Sequence, residues 1–225
     1  MKNKMFLTAL CGIAIAMFAS STYAADPMAS LKEGTGSRSG SSEGVRFGIT
    51  PEQNKVSGAT FALVLYFSEY SRYRAFEFAF LLNVAEKSSS GFQWGWLWGN
   101  YVNSGDFGGV QWGLCHNRVG KNMTGWQSAA GFNLVNGDMC GLQTAWLHNC
   151  VEGNLTGVQM SWVNKVDKTM TGVQFGLVNL AKDTKGVQWG FYNQTENLCG
   201  VQFGLVNRLV NYDKWPFTVI LRAVF

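Results

Sequence analysis

Charge, proline and histidine are all scarce in this chain. Of its 225 residues 14% are charged, three are proline and two are histidine. His116 and His148 each stand seven residues after a repeat Gly, in units two strands apart, and read as repeat decoration. The formal net charge is +4, and it falls to about +2 once Lys2 and Lys4 are set aside, too little to attract nucleic acid or an anionic surface. After the first 24 residues no uncharged apolar run approaches 18 residues. Helical membrane spans are thereby excluded, leaving strands as the only means of crossing a bilayer. No nucleophile, base and orienting acid recur together, so nothing in the chain argues for an enzyme, and no cofactor is expected.

Glycine and aromatics are abundant: 27 glycines, with Phe, Trp and Tyr at 14%. With few prolines, that composition leans towards all-β structure.

Lys2 and Lys4 precede an apolar run from Phe6 to Phe18, and Thr22 and Ala24 stand three places and one place before a cut after Ala24. Residues 1–24 therefore read as a secretory signal. Residues 25–43 are dominated by Gly, Ser and charge, as in a flexible leader. Residues 44–225 form a single repeat-built domain.

GVQFGLVN occupies residues 172–179 and returns unchanged at 200–207, with GVQWGFYN at 186–193 between them. Looser copies begin at Gly44, Gly58, Ala75, Gly91, Gly109, Gly125, Gly141 and Gly157. From Gly91 onward the spacing shortens from 18 to 14 residues. A period this short is one supersecondary step. Within each copy Val, Phe and Leu alternate with Gly, Gln and Gly, which is the period-two pattern of a strand. Residues 215–225 alternate as well and end on Phe225. Eleven repeat strands and this last one make twelve.

Two closed architectures compete for such an array. The first is an antiparallel up-and-down β-barrel of about twelve strands with short turns. Its Val, Phe and Leu would face lipid, and Trp94, Trp96, Trp98, Trp112, Trp126, Trp146, Trp162 and Trp189 would form interfacial girdles. The second is a parallel β-solenoid of 14–16-residue coils, with Gln93, Gln111, Gln127, Gln143, Gln159, Gln174, Gln188 and Gln202 stacked as an amide ladder. The barrel is the main expectation, because a thin coil is expected to be strained by holding Trp, Leu and Val inside. In a barrel those glutamines line the interior. Arg46, Glu77 and Arg222, the rare charges in strand cores, would then meet where the first and last strands close.

Cys115, Cys140, Cys150 and Cys199 are expected to be free and packed, because their repeat positions lie too far apart for disulfides. Cys115 and His116, being adjacent in a strand, point to opposite faces and do not share a metal.

The units GVQFGLVNLAKDTK and GVQWGFYNQTENLC, with Lys214-Trp215-Pro216-Phe217 and the terminal Phe225, resemble the bacterial surface repeat-containing proteins of leptospiral type. The likeness is good over about residues 91–225 and loose over 44–90. The chain departs from the pattern at Ser128 and Ala130. The resemblance implies export to the bacterial outer membrane or cell surface, and it carries no assigned activity. Two functions follow as expectations. The first is an outer-membrane barrel, either structural or a passive narrow channel, with outer-membrane lipid around it and assembly machinery reading the strand that ends at Phe225. The alternative is a secreted or surface-attached solenoid acting as a binding or adhesion module.

Overall fold

The structure is a computed structural model that describes the backbone of residues 41–48, 52–62, 65–211 and 216–225. Side chains are described continuously from Phe76 to Asn211 and from Pro216 onward. The signal segment and most of the leader lie outside the described residues, as does the side chain of Arg46.

Among the described residues eighteen strands follow one another. They are β1 (Ser41–Gly48), β2 (Glu52–Ala62), β3 (Leu65–Ala79), β4 (Leu82–Ala85), β5 (Ser89–Gly95), β6 (Gly99–Val102), β7 (Phe107–Gly113), β8 (His116–Val119) and β9 (Met123–Ala129). The second half comprises β10 (Phe132–Val135), β11 (Met139–Ala145), β12 (His148–Val151), β13 (Leu155–Met160), β14 (Val163–Phe175), β15 (Val178–Trp189), β16 (Tyr192–Thr195), β17 (Asn197–Leu209) and β18 (Phe217–Val224).

The pairing is parallel throughout, except where β18 runs antiparallel to β17. Each Gly-x-Gln-x strand pairs with its counterpart one repeat away, as Gln127 does with Gln143 and Gln143 with Gln159. The short strands that follow make a second parallel ladder, in which Asn117, Asn133 and Asn149 are in register. One repeat is therefore one coil of a β-solenoid, and the barrel expectation is overturned. A barrel stave would run straight through GVQFGLVN. In the 172–179 copy the chain instead turns a corner between Phe175, where β14 ends, and Val178, where β15 begins, and the two arms enter different ladders; only in the last copy does one strand, β17, continue through the motif.

The inward positions of a coil divide into a polar half and an apolar half. Phe107, Met123, Met139, Leu155 and Met170 pack with Val102, Val119, Val135, Val151 and Val166 into one continuous apolar core. Gln and Asn fill the other half and are also fully buried. Val, Trp and Leu of the repeat point outward. The strain argument against a solenoid fails for that reason: the large side chains it placed inside are on the surface.

The two recurrent glycines have separate causes. Gly186 has φ of 140°, which L side chains rarely adopt, and a Cβ there would be driven into the carbonyl oxygen of Gly172. At Gly190 a Cβ would meet the carbonyl of Gly176 and would lie 2.6 Å from Nδ2 of Asn179. The second glycine thus makes room for the asparagine ladder.

Candidate functional site

All eight glutamines are joined head to tail. Nε2 of each donates to Oε1 of the glutamine one coil earlier, over 2.7–2.9 Å from Gln111 to Gln202. Gln93 donates instead to Oε2 of Glu77, over 2.7 Å. The glutamines are 0–1% exposed, so they form a closed interior and no lumen. Burying an amide is costly unless it is hydrogen-bonded, and stacking identical amides at the strand spacing of about 4.8 Å meets that condition without water.

The asparagines form a second chain that the sequence reading missed, although Asn is the eighth letter of the repeat. Nδ2 of Asn83 donates to Oδ1 of Asn100, and the series continues through Asn117, Asn133, Asn149, Asn164, Asn179 and Asn193 to Asn207. From Asn100 to Asn193 the other Nδ2 proton goes to a backbone carbonyl of the next coil, as from Asn133 to Thr144 and from Asn179 to Trp189. The Asn donors point towards the C-terminal end and the Gln donors towards the N-terminal end, so the two rows of dipoles oppose each other.

Arg46, Glu77 and Arg222 do not meet by strand closure. Arg46 pairs with Thr60, and Thr60 pairs with Glu77, at the N-terminal end of the glutamine row. Arg222 lies opposite Gln202 at the other end. It is buried and donates Nη1 to the carbonyl of Pro216. By backbone register Arg46 belongs to the same row as the buried Glu77, and Arg222 stands at that row's far end.

His116 and His148 share an outward row with Phe132 between them. Burial first, and then Arg118, lowers the His116 pKa to about 4. Burial and Lys165 lower that of His148 to about 4, although Asp167 and a backbone hydrogen bond at Val163 oppose the shift. Among the described residues no group of three or more His, Cys, Asp or Glu could hold a metal. The four described cysteines are free, as expected, but only Cys150 is packed, Cys115, Cys140 and Cys199 being exposed.

The outer surface carries the asymmetry relevant to function. From residue 86 to residue 208 there are seven acids and eight bases, and none lies within a Gly-x-Gln-x arm or the corner after it. They stand on the opposite edge and the strand ends beside it. There Asp and Asn side chains bond the next coil, as Asp106 Oδ1 accepts from the Asn122 amide at 3.0 Å and Asp138 Oδ1 from the Asn154 amide at 2.7 Å. The corner edge instead exposes Trp98, Trp146, Trp162, Trp189 and Phe191, each 58–73% accessible. The tryptophans expected as two barrel girdles thus lie on the outer face and corner of one stack. Some meet edge to face, as Trp94 and Trp112 do at 5.2 Å between ring centroids and 79° between ring planes.

A trench of about 800 Å³ runs along this edge over the last five coils. Its floor is Ala145, Ser161, Gly176, Gly190 and Gly204. Phe175, Trp189 and Phe203 rise on one side, and Leu177, Phe191 and Leu205 on the other. Comparison with family models, with curated proteins and with solved structures found no match.

Proposed function

We propose that this chain is an exported, surface-attached β-solenoid binding module, without catalysis, that docks by its corner edge on the lipid of the bacterial outer membrane. The observation that carries the reading is the segregation of charge: from residue 86 to residue 208 one long edge holds Trp, Phe and Leu with no ionised side chain, and the charges stand on the opposite edge and along the asparagine arm, as Arg118 and Lys165 do. A contiguous apolar surface on a soluble chain marks an interaction site. Tryptophan suits a membrane interface, where its ring is apolar and its indole N–H is polar. The near balance of acids and bases means that hydrophobic insertion, not attraction to anionic headgroups, supplies the affinity.

Flotation of the full-length protein with uncharged phosphatidylcholine vesicles tests this. The protein should rise with the vesicles equally at about 0.1 M and 1 M salt, conditions that screen electrostatic attraction very differently. Replacing Trp146 and Trp162 together by Ser should abolish flotation. Protein that stays in the aqueous fraction, or that pairs edge to edge as a dimer and leaves vesicles untouched, would refute the reading.

A further inference from the structure

We infer that the trench over the last five coils is a binding site for one acyl chain of a membrane lipid, held with the chain end against Ile220 and the headgroup near Thr144. The inference rests on the docking function proposed above and adds a defined ligand position to it.

Four features of the trench support the assignment. First, its length and form suit a linear occupant. Thr144, Met160, Phe175, Trp189 and Phe203 are successive positions of one row, so four steps of about 4.8 Å give a channel about 19 Å long. Its volume of about 800 Å³ lies within the usual range of ligand pockets, about 300–1,000 Å³.

Second, the lining offers an occupant almost nothing to hydrogen-bond. Apart from the indole N–H groups of Trp162 and Trp189, only Thr144 and Ser161 bear polar side-chain atoms, and no charged residue contributes. The Ser161 hydroxyl is turned away, with the Val163 carbonyl and Oδ1 of Asn164 both within reach of its single proton. Gln174, Gln188 and Gln202, which could serve a sugar, are buried and bonded within their own ladder. The peptide groups of the floor are occupied too: Gly176 N donates to the Trp189 carbonyl and Gly190 N to the Phe203 carbonyl. An added strand finds the Gly176 and Gly190 N–H groups already engaged, whereas a hydrocarbon chain needs no partner.

Third, the two ends differ. At the N-terminal end the aromatic row is interrupted by Ser128 and Thr144, and Trp126 donates its indole N–H to the Thr144 hydroxyl at 3.2 Å. That end is a polar mouth. At the other end β18 crosses and brings in Ile220. A site with one polar and one apolar end matches an amphiphile in a single orientation.

Fourth, Ile220 has φ of 72°, a left-handed conformation that is an outlier for a β-branched residue. It stands opposite Gly204, where the β17–β18 register shifts. Such strain gathers at ligand clamps, and here it falls on a residue that lines the trench.

The test loads full-length protein with phosphatidylcholine vesicles or, in a separate arm, with free palmitic acid. Vesicles are then removed by gel filtration, and retained lipid is measured by mass spectrometry. The wild type should keep about one phosphatidylcholine per chain. The double variant Leu177→Trp, Leu205→Trp fills the trench while leaving the edge apolar. It should float with vesicles and melt like the wild type yet retain several-fold less lipid. Leu114→Trp, outside the trench, should behave as wild type. Wild type that floats but retains no lipid would overturn the trench assignment and leave the docking function standing, and so would equal retention by the filled variant. Retention of palmitic acid without phosphatidylcholine, and without flotation, would overturn both the membrane source and the docking function.

Discussion

Gln93 donates Nε2 to Oε2 of Glu77 over 2.7 Å, and this bond sets the direction of the whole glutamine row. Glu77 Oε2 accepts from the Gln93 N–H₂ group, and each later glutamine repeats that orientation. The row ends with the Gln202 oxygen on the side where Arg222 pairs with the strand. The Glu77 carboxyl stands at the donor end of the aligned amides and the Arg222 guanidinium at the acceptor end, about 43 Å away at nine strand spacings.

Glu77→Leu should leave the Gln93 donor buried without this acceptor and cost about 1–3 kcal/mol. Gln143→Leu should cost more, because it strands the oxygen of Gln127 and the N–H₂ of Gln159 together. Denaturant unfolding with circular dichroism detection measures both, and Gln143→Leu must be the less stable of the two.

Lowered imidazole pKa values make the fold sensitive to acid. The unfolded chain binds a proton at each histidine near pH 6.5, whereas the folded chain resists until about pH 4. Their contribution is therefore fully present above about pH 6.5, falls as the pH drops, and levels off below about 4. Each shift is worth up to about 3 kcal/mol. His116→Phe combined with His148→Phe, matching Phe132 between them, should flatten the melting temperature between pH 7 and pH 4.5. An unchanged slope would exclude the imidazoles as its source.

The repeat, its period-two alternation and the inward side of the glutamines are all legible in the sequence, because alternation depends only on strand geometry. The architecture was harder to read, since a stave with Gln inward and Val, Trp and Leu outward has the same pattern as a solenoid arm. The two differ in whether an all-amide interior can close without water. That depends on Gln127, Gln143 and Gln159 coming into register one coil apart, a long-range fact that no single repeat contains. Asn133 and Asn149 were overlooked for a related reason. One Asn per repeat resembles turn chemistry, and its role becomes visible only once the corner after Gly-x-Gln-x-Gly or its Ala counterpart is bent. The trench needed Ile220, which follows the last repeat, to close its end.

Thiol chemistry should separate the four described cysteines. Burial pushes the Cys150 pKa up to about 12, and the reactive species is the thiolate. N-ethylmaleimide at pH 8 should modify Cys115, Cys140 and Cys199 in the folded chain, with Cys150 at least roughly tenfold slower. Peptide mapping reads this directly, and denaturant should remove the difference. Fast labelling of Cys150 without denaturant would mean that β12 opens under native conditions.

Gly190 and Phe191 are neighbours on opposite sides of the wall, and substitution should separate folding from binding. In Gly190→Ala the new methyl group would meet the Gly176 carbonyl and the Asn179 amide. The amide is held between Asn193 Oδ1 and the Trp189 carbonyl, each at 2.9 Å, and cannot withdraw without losing one of them. A loss of about 2–4 kcal/mol is expected from overpacking together with a broken buried hydrogen bond. Phe191→Ser removes an outward ring that is 59% exposed, so its stability should change by less than about 0.5 kcal/mol. Lipid retention should move the opposite way, with Phe191→Ser weakening it while the fold stays intact. Gly190→Ala with wild-type stability would mean that the asparagine row is not held as tightly as its hydrogen bonds require.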